Sequence, residues 1–310
     1  MKRILLITLA LGLVLSCAAC ADNGASPDPA NPTSPGKSPT TTVPSDPAAT
    51  TVPTEPITPP TSFETQTVVD NEYCTIQITG LDPENLWGYT LNVYLENKSP
   101  DTDYQFSVGL ASVNKLSMDP LFSVKVAPGK KANEQICFTD RELTALVGQF
   151  TDIELTFQVT DANDFLAKPV ANPTVHVYPY GEENATVYQR PAKDTDVVVV
   201  DNDQVSVIVT EYANDPIWGY CAKVFLVNKT DKDLMFSADD VSVNGFMLDP
   251  FYADLVEGGK CAYSFMSWLE SDFEDNGITD VQSIELTLRV YDSTDWAAGD
   301  VVNTKIELKP

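Results

Sequence analysis

The sequence predicts an all-β chain built of two tandem β-sandwich domains. Three observations predict it: short apolar runs of period two, turn-forming clusters between them, and an internal repeat offset by about 131 residues. Val68-Val69-Asp70-Asn71 recurs as Val199-Val200-Asp201-Asn202, Trp87-Gly88-Tyr89 as Trp218-Gly219-Tyr220, and Asn97-Lys98-Ser99 as Asn228-Lys229-Thr230, all at an offset of 131. Phe106-Ser107, Ser112-Val113-Asn114 and Asp119-Pro120 match Phe236-Ser237, Ser242-Val243-Asn244 and Asp249-Pro250 at an offset of 130. Ile153-Glu154-Leu155-Thr156 returns to 131 against Ile284-Glu285-Leu286-Thr287, so one small deletion and one small insertion account for the shifts. The duplication defines domains at 63–178 and 195–310, joined by a polar linker at 179–194.

Within each copy the elements follow in order. Cys74, Ile76 and Ile78 alternate with Thr75, Gln77 and Thr79, and Val205, Val207 and Val209 alternate with Ser206, Ile208 and Thr210. Alternation of this kind puts the first set on a buried face. Leu91, Val93 and Leu95, then Ile153, Leu155, Phe157 and Val159, repeat the pattern, with turn clusters such as Asp82-Pro83-Glu84-Asn85 and Ala127-Pro128-Gly129 between the runs. Six to eight short strands in about 116 residues predict an immunoglobulin-like sandwich. One segment differs: Thr139 and Glu142 have capping-box spacing, and Leu143, Leu146, Val147 and Phe150 lie at helical intervals. A short helix is expected there, with a counterpart starting near Ser271-Asp272-Phe273-Glu274.

The N-terminal segments predict an address. Lys2 and Arg3 precede an apolar run from Ile4 to Leu15, which is too short for the roughly twenty residues of a membrane span, and small residues follow it. Residues 1–19 are therefore expected to be a cleaved signal, with Cys20, after Ala18 and Ala19, as the lipidated residue and Cys17 as the alternative. Two acyl chains would supply the double anchor that stable membrane attachment needs. Residues 20–62 follow as a linker: Ala21 to Ser62 holds 11 Pro, 9 Thr and 5 Ser, too little apolar surface to offset chain entropy, which predicts a disordered stalk.

The small residues before Cys20, the Pro/Thr stalk and the tandem domains with Trp-Gly-Tyr, Asn-Lys-Ser/Thr and Asn…Asp-Pro segments resemble uncharacterised bacterial surface lipoproteins. The domains are similar in pattern to the immunoglobulin-like fold of the extracellular immunoprotective antigen superfamily. That resemblance implies a fold and an extracytoplasmic, lipid-anchored location, and carries no known activity.

Charge limits the partners. Nineteen Lys and Arg against 45 Asp and Glu give −26, and loss of Lys2 and Arg3 with the signal would make it −28. Binding to nucleic acid rests on phosphate neutralisation, which this composition disfavours. A single histidine, His176, removes the commonest base and metal ligand from most sites, and it reads as an outward residue on the last strand of the first domain. No Gly-x-Ser-x-Gly, phosphate-cradling loop or histidine triad occurs, so neither catalysis nor a cofactor is expected. Asp272, Glu274, Asp275, Asn276, Gly277 and Asp280 imitate a calcium loop, but Ser283 stands where the closing Glu belongs, and no metal site is expected.

Two sets of side chains remain. Cys74, Cys137, Cys221 and Cys261 survive processing, and in an exported chain they suggest disulfides. Cys221 and Cys261 both read outward, so a Cys221–Cys261 bridge is expected if their strands are neighbours. Cys74 reads inward and Cys137 outward, which favours free thiols over a Cys74–Cys137 bridge. Trp87, Tyr89, Trp218 and Tyr220 either plug one end of each sandwich, with the central Gly permitting a turn, or stack on a sugar or anchor a protein partner. The functional expectation is a non-catalytic, lipid-anchored surface module that binds an extracellular protein or glycan or serves as a scaffold. The alternative is a carbohydrate-active enzyme using surface carboxylates.

Overall fold

Strands form where the chain alternates because successive side chains point to opposite faces, so a single face can be apolar throughout. A computed structural model describes residues 63–164 and 166–310, all within one compact unit that spans Glu55–Pro310. The proposed signal, the stalk, Cys17 and Cys20 lie outside the described residues.

The first copy comprises β1 (Gln66–Asp70), β2 (Cys74–Asp82), β3 (Tyr89–Asn97), β4 (Tyr104–Val113), β5 (Leu116–Ser117), β6 (Ser123–Val126), β7 (Lys131–Phe138), α1 (Arg141–Val147), β8 (Ile153–Asp161) and β9 (Thr174–Val177). The second repeats the order: β10 (Val197–Asp201), β11 (Val205–Asp215), β12 (Gly219–Asn228), β13 (Leu234–Val243), β14 (Phe246–Met247), β15 (Ala253–Val256), β16 (Cys261–Trp268), α2 (Glu270–Asp275), β17 (Ile284–Asp292) and β18 (Asp300–Leu308). Among the described residues no helix is long and apolar enough to cross a membrane.

In the first sandwich the sheet β1-β2-β3-β7 faces β4, β8 and β9, with β5 and β6 beside β4. In the second, β10-β11-β12-β16 faces β13, β17 and β18, with β14 and β15 beside β13. Each encloses its own apolar core, one including Ile76, Leu91, Phe106 and Phe157 and the other Val207, Leu226, Phe236 and Leu288. The fold is therefore the expected all-β pair of immunoglobulin-like sandwiches. Both short helices also form. The expected capping box does not form: Asp140, not Thr139, caps α1, its Oδ1 accepting from the amides of Glu142 and Leu143 at 2.9 Å, which puts Leu143 rather than Glu142 at the third helical position.

The repeated polar motifs are structural staples. Asn97 and Asn228 are buried and donate from Nδ2 to the Val126 and Val256 carbonyls, each at 2.8 Å. Lys98 reaches Asp70 and the Asn71 carbonyl, and Lys229 reaches Asp201 and the Asn202 carbonyl. Asn114 and Asn244, at φ 51 and 50, tie the next turn through their Oδ1 atoms to the amides of Asp152 and Ser283. These contacts explain why Val-Val-Asp-Asn, Asn-Lys and Ser-Val-Asn recur.

A seam joins the sandwiches. Leu116 of β5 pairs in parallel with Cys261 of β16, and the Cys261 amide donates to the Lys115 carbonyl at 3.0 Å, so one sheet continues from β10 to β9. Leu116, Phe225 and Cys261 form a buried cluster with Leu143, Tyr188, Ile208 and Tyr263 packed on it. Buried Lys260 bridges Glu154 at 3.0 Å and Glu257 at 2.7 Å. The linker is fastened on both sides: Tyr188 donates its amide to the Asn114 carbonyl at 2.7 Å and shares a hydrogen bond between hydroxyls with Tyr263 at 2.9 Å. Arg190 grips both carboxyl oxygens of Asp196 at 2.6 and 2.7 Å.

Candidate functional site

The Trp-Gly-Tyr segments behave alike in both copies. A side-chain oxygen closes each turn, Asn85 Oδ1 accepting from the Trp87 amide at 3.0 Å and Asp215 Oδ1 from the Trp218 amide at 2.9 Å. Gly88 (φ 112) and Gly219 (φ 72) then pass so close to the next strand that a Cβ would sit 2.1 Å from the Phe138 carbonyl oxygen or 2.2 Å from that of Trp268. Only glycine satisfies both the conformation and the approach. Beyond it the tyrosine turns inward: Tyr89 stacks on Phe150 at 4.3 Å, and Tyr220 lies against Phe273 at 5.7 Å and Trp268 at 6.2 Å. The tryptophan turns outward, Trp87 being 66% and Trp218 44% exposed. Plug and exposed anchor thus coexist, one residue for each role.

The surroundings of the two tryptophans differ. Trp218 lies 5.9 Å from Phe265, and Phe251 stands nearby, 61% exposed, because its backbone bridges to Ser267 of β16. Together they rim a depression of about 270 Å³. Its wall carries the Asp254 carboxyl, which accepts a hydrogen bond from Ser264 Oγ. Burial pushes the Asp254 carboxyl above its ordinary value, with Asp119 of the first domain adding to the effect. Two further lining residues, Tyr252 and Ser267, have buried hydroxyls without a hydrogen-bond partner. A groove of about 510 Å³ under α1 shares Ser264 and Phe265 with the depression and continues to Leu146, Glu142 and Lys223. In the first domain the positions of Phe251, Asp254 and Phe265 are held by Leu121, Val124 and Gln135.

The expected Cys221–Cys261 bridge is not formed, and Cys74 and Cys137 are free as favoured, so the four cysteines among the described residues are all free and buried. Strand parity is as expected, since Cys221 and Cys261 point away from the core on neighbouring strands. Register separates them: Cys221 lies opposite Ser267 and Cys261 opposite Val227. The six-residue difference is about 20 Å along the strand at roughly 3.3 Å per residue, far beyond bridging distance. Cys74 pairs with Asn97 and Cys137 with Thr90, seven residues apart on β3, which excludes that bridge equally. Burial pushes the thiol of Cys261 up to about 12 and that of Cys74 up to about 11, which makes both poor nucleophiles.

His176 lies half-exposed on β9 with Nδ1 2.7 Å from Asp152 Oδ1. The calcium-like acids Asp272, Glu274 and Asp275 are in helix α2, not in a loop that could converge on an ion. Phe251, Asp254, Ser264 and Phe265 were not among the sequence candidates. The available signal was the break in repeat symmetry, because Phe265 is aromatic where its counterpart Gln135 is polar.

No protein-family model matches the chain, and no curated protein matches it. Among solved structures, the YadV chaperone is similar over 71% of this chain and 92% of its own, at 11% identity and a TM-score of 0.23.

Proposed function

We propose that the chain is a non-catalytic, lipid-anchored surface protein whose second domain presents a binding face to an extracellular protein or glycan. The observation that supports this most is the gathering of Trp218, Phe251 and Phe265 around one depression, because exposed aromatic side chains over a few fixed polar groups are the composition of binding sites. The seam supports it too, because the continuous sheet and the buried cluster tie the second sandwich, with that face, to the first. Lipidation at Cys20, or at Cys17, would hold the whole at a bacterial membrane. Asp254 is the one carboxyl lining the depression, whereas a glycosidase pair requires two flanking the scissile bond.

Two experiments test this. Immobilised full-length protein is presented with purified matrix proteins and glycans: saturable binding weakened by Trp218→Ala is expected, and absence of any such ligand leaves only a scaffold. Membrane fractionation with mass spectrometry of the N-terminal peptide is expected to find a diacylated Cys20, and Cys20→Ser is expected to release the protein. Retention of the Cys20→Ser variant moves the anchor to Cys17.

A further inference from the structure

The depression beside Trp218 combines two kinds of surface. Three aromatic faces stand in solvent around it, with Trp218 44%, Phe251 61% and Phe265 37% exposed. Its wall and floor carry Asp254, Ser264, Tyr252 and Ser267. Ser267 is 1% exposed and its Oγ has no hydrogen-bond partner, and the same holds for the buried Tyr252 hydroxyl. Those two hydroxyls are sealed from solvent, and the polar groups within reach of a ligand are the partly exposed Asp254 carboxyl and Ser264 hydroxyl.

The geometry points to a saccharide site: a neutral hexopyranose ring stacked on Trp218 between Phe251 and Phe265, its hydroxyls bonded to the Asp254 carboxyl and the Ser264 hydroxyl. This rests on the binding function proposed above and names its ligand class. A sugar ring offers what both surfaces require, an apolar face of C–H groups for the aromatics and a rim of hydroxyls for the polar groups. The depression, at about 270 Å³, lies just under the roughly 300–1,000 Å³ of drug-sized pockets and suits one ring. Further units have a path along Phe265 into the groove below α1, where Lys223, Glu211 and Thr210 supply donors and acceptors.

Charge and edge geometry select against other ligands. Asp140, Glu142, Glu211 and Asp254 line the continuous surface beside Arg190, Lys193 and Lys223, so it is the chain's overall −26 that repels polyanions such as sulfated glycans. Strand addition by a peptide needs a run of free edge. On β16 that edge is closed by β5 at Cys261 and by Phe251 at Ser267, which leaves five residues between them. Burial, with Asp119 adding to it, raises the Asp254 carboxyl, and hydroxyl donors from a ligand would stabilise its ionised form.

Titration calorimetry of the full chain with gluco-, manno-, galacto- and chito-hexaose, and with heparin as the polyanion, tests the assignment. At least one neutral hexaose is expected to bind saturably and to change the tryptophan fluorescence, while heparin does not bind. Trp218→Ala is expected to weaken that binding tenfold or more, Asp254→Asn several-fold, and Trp87→Ala less than twofold, because Val124 and Gln135 stand in the first domain where the second has Asp254 and Phe265. Phe265→Ser provides an independent route should Trp218→Ala fail to fold, and is expected to weaken binding about fivefold. No hexaose bound at millimolar concentration overturns the assignment, as does binding untouched by Trp218→Ala and Phe265→Ser or equally lost in Trp87→Ala. A purified protein ligand that depends on Trp218 while no hexaose binds overturns the saccharide and leaves the binding function standing. Failure of every ligand overturns both.

Discussion

The outer face of β2, β3 and β7 and the outer face of β11, β12 and β16 occupy the same place in two copies of one fold, yet their chemistry is opposite. Gln77, Tyr94, Glu96, Lys131, Asn133 and Gln135 on the first become Ile208, Phe225, Val227, Cys261, Tyr263 and Phe265 on the second. The cross-strand pair Glu96–Lys131 is an ion pair at 3.5 Å, whereas its counterpart, Val227–Cys261, is apolar. Backbone demands cannot account for this, since the registers match. What differs is the cover: the first face meets solvent, and much of the second lies under α1, β5 and the linker. A sheet face carries whatever its neighbour requires, while the strand pattern and the turns persist.

Breaking what the copies share has the largest expected effect. Gly88→Ala and Gly219→Ala should each destabilise their domain by about 3–4 kcal/mol, since a Cβ would meet a carbonyl oxygen at a positive φ. Urea unfolding checks this, and unequal costs would mean that the two turns are not equivalent. Breaking what differs comes next. Phe225→Ala should cost about 3 kcal/mol and split a single thermal transition into two by uncoupling the seam, whereas the equivalent Tyr94→Ala should cost under about 1 kcal/mol. Calorimetry that finds equal losses would remove the distinction between covered and bare faces. Smaller still, replacing both Glu96 and Lys131 by Val should change stability by less than about 1 kcal/mol, because Lys131 is exposed and Glu96 only partly buried. Such a variant should self-associate in sedimentation velocity, having acquired an apolar face without a cover.

Acid should act on the second domain in two directions. Arg190 holds the Asp196 carboxyl down at about 2. Against roughly 3.9 in the unfolded chain, its contribution is complete above that value and lost as pH falls toward 2. Asp254 is raised by burial, so its penalty on the folded state grows as pH rises from the unfolded carboxyl's value toward the raised one and is complete above it. Urea midpoints measured from pH 2 to 8 should show Asp196→Asn abolishing part of the acid loss and Asp254→Asn stabilising at neutral pH. An Asp254→Asn variant less stable at pH 7 would contradict the buried carboxylate.

Much of this was legible in the sequence, because period-two alternation and an internal repeat report local geometry and its duplication. Trp87 and Trp218 could be found because the glycine after each marks a turn, and strand parity placed Cys221 and Cys261 on the correct face. Register was not legible. It depends on how far each turn advances the chain, and a six-residue offset turned an expected bridge into two distant thiols. The aromatic depression was hidden for another reason: Phe251 and Asp254 come from the segment around β15, while Ser264 and Phe265 come from β16, and no linear spacing encodes that meeting. The cover over Phe225 and Tyr263 went unread, although their contrast with Tyr94 and Asn133 of the other copy was the signal available for it.

The stapled linker has a mechanical meaning. If the chain is pulled between its N-terminal end and a ligand held at Trp218, tension reaches the second domain through residues 178–196 and the seam. Tyr188 and Arg190 hold that segment folded against both sandwiches. Eighteen peptide units extend to about 60 Å. Release of the linker's hydrogen bonds, the Arg190–Asp196 and Lys260–Glu154 ion pairs and the small apolar cluster at the seam would therefore free this length of chain while both main cores stay intact.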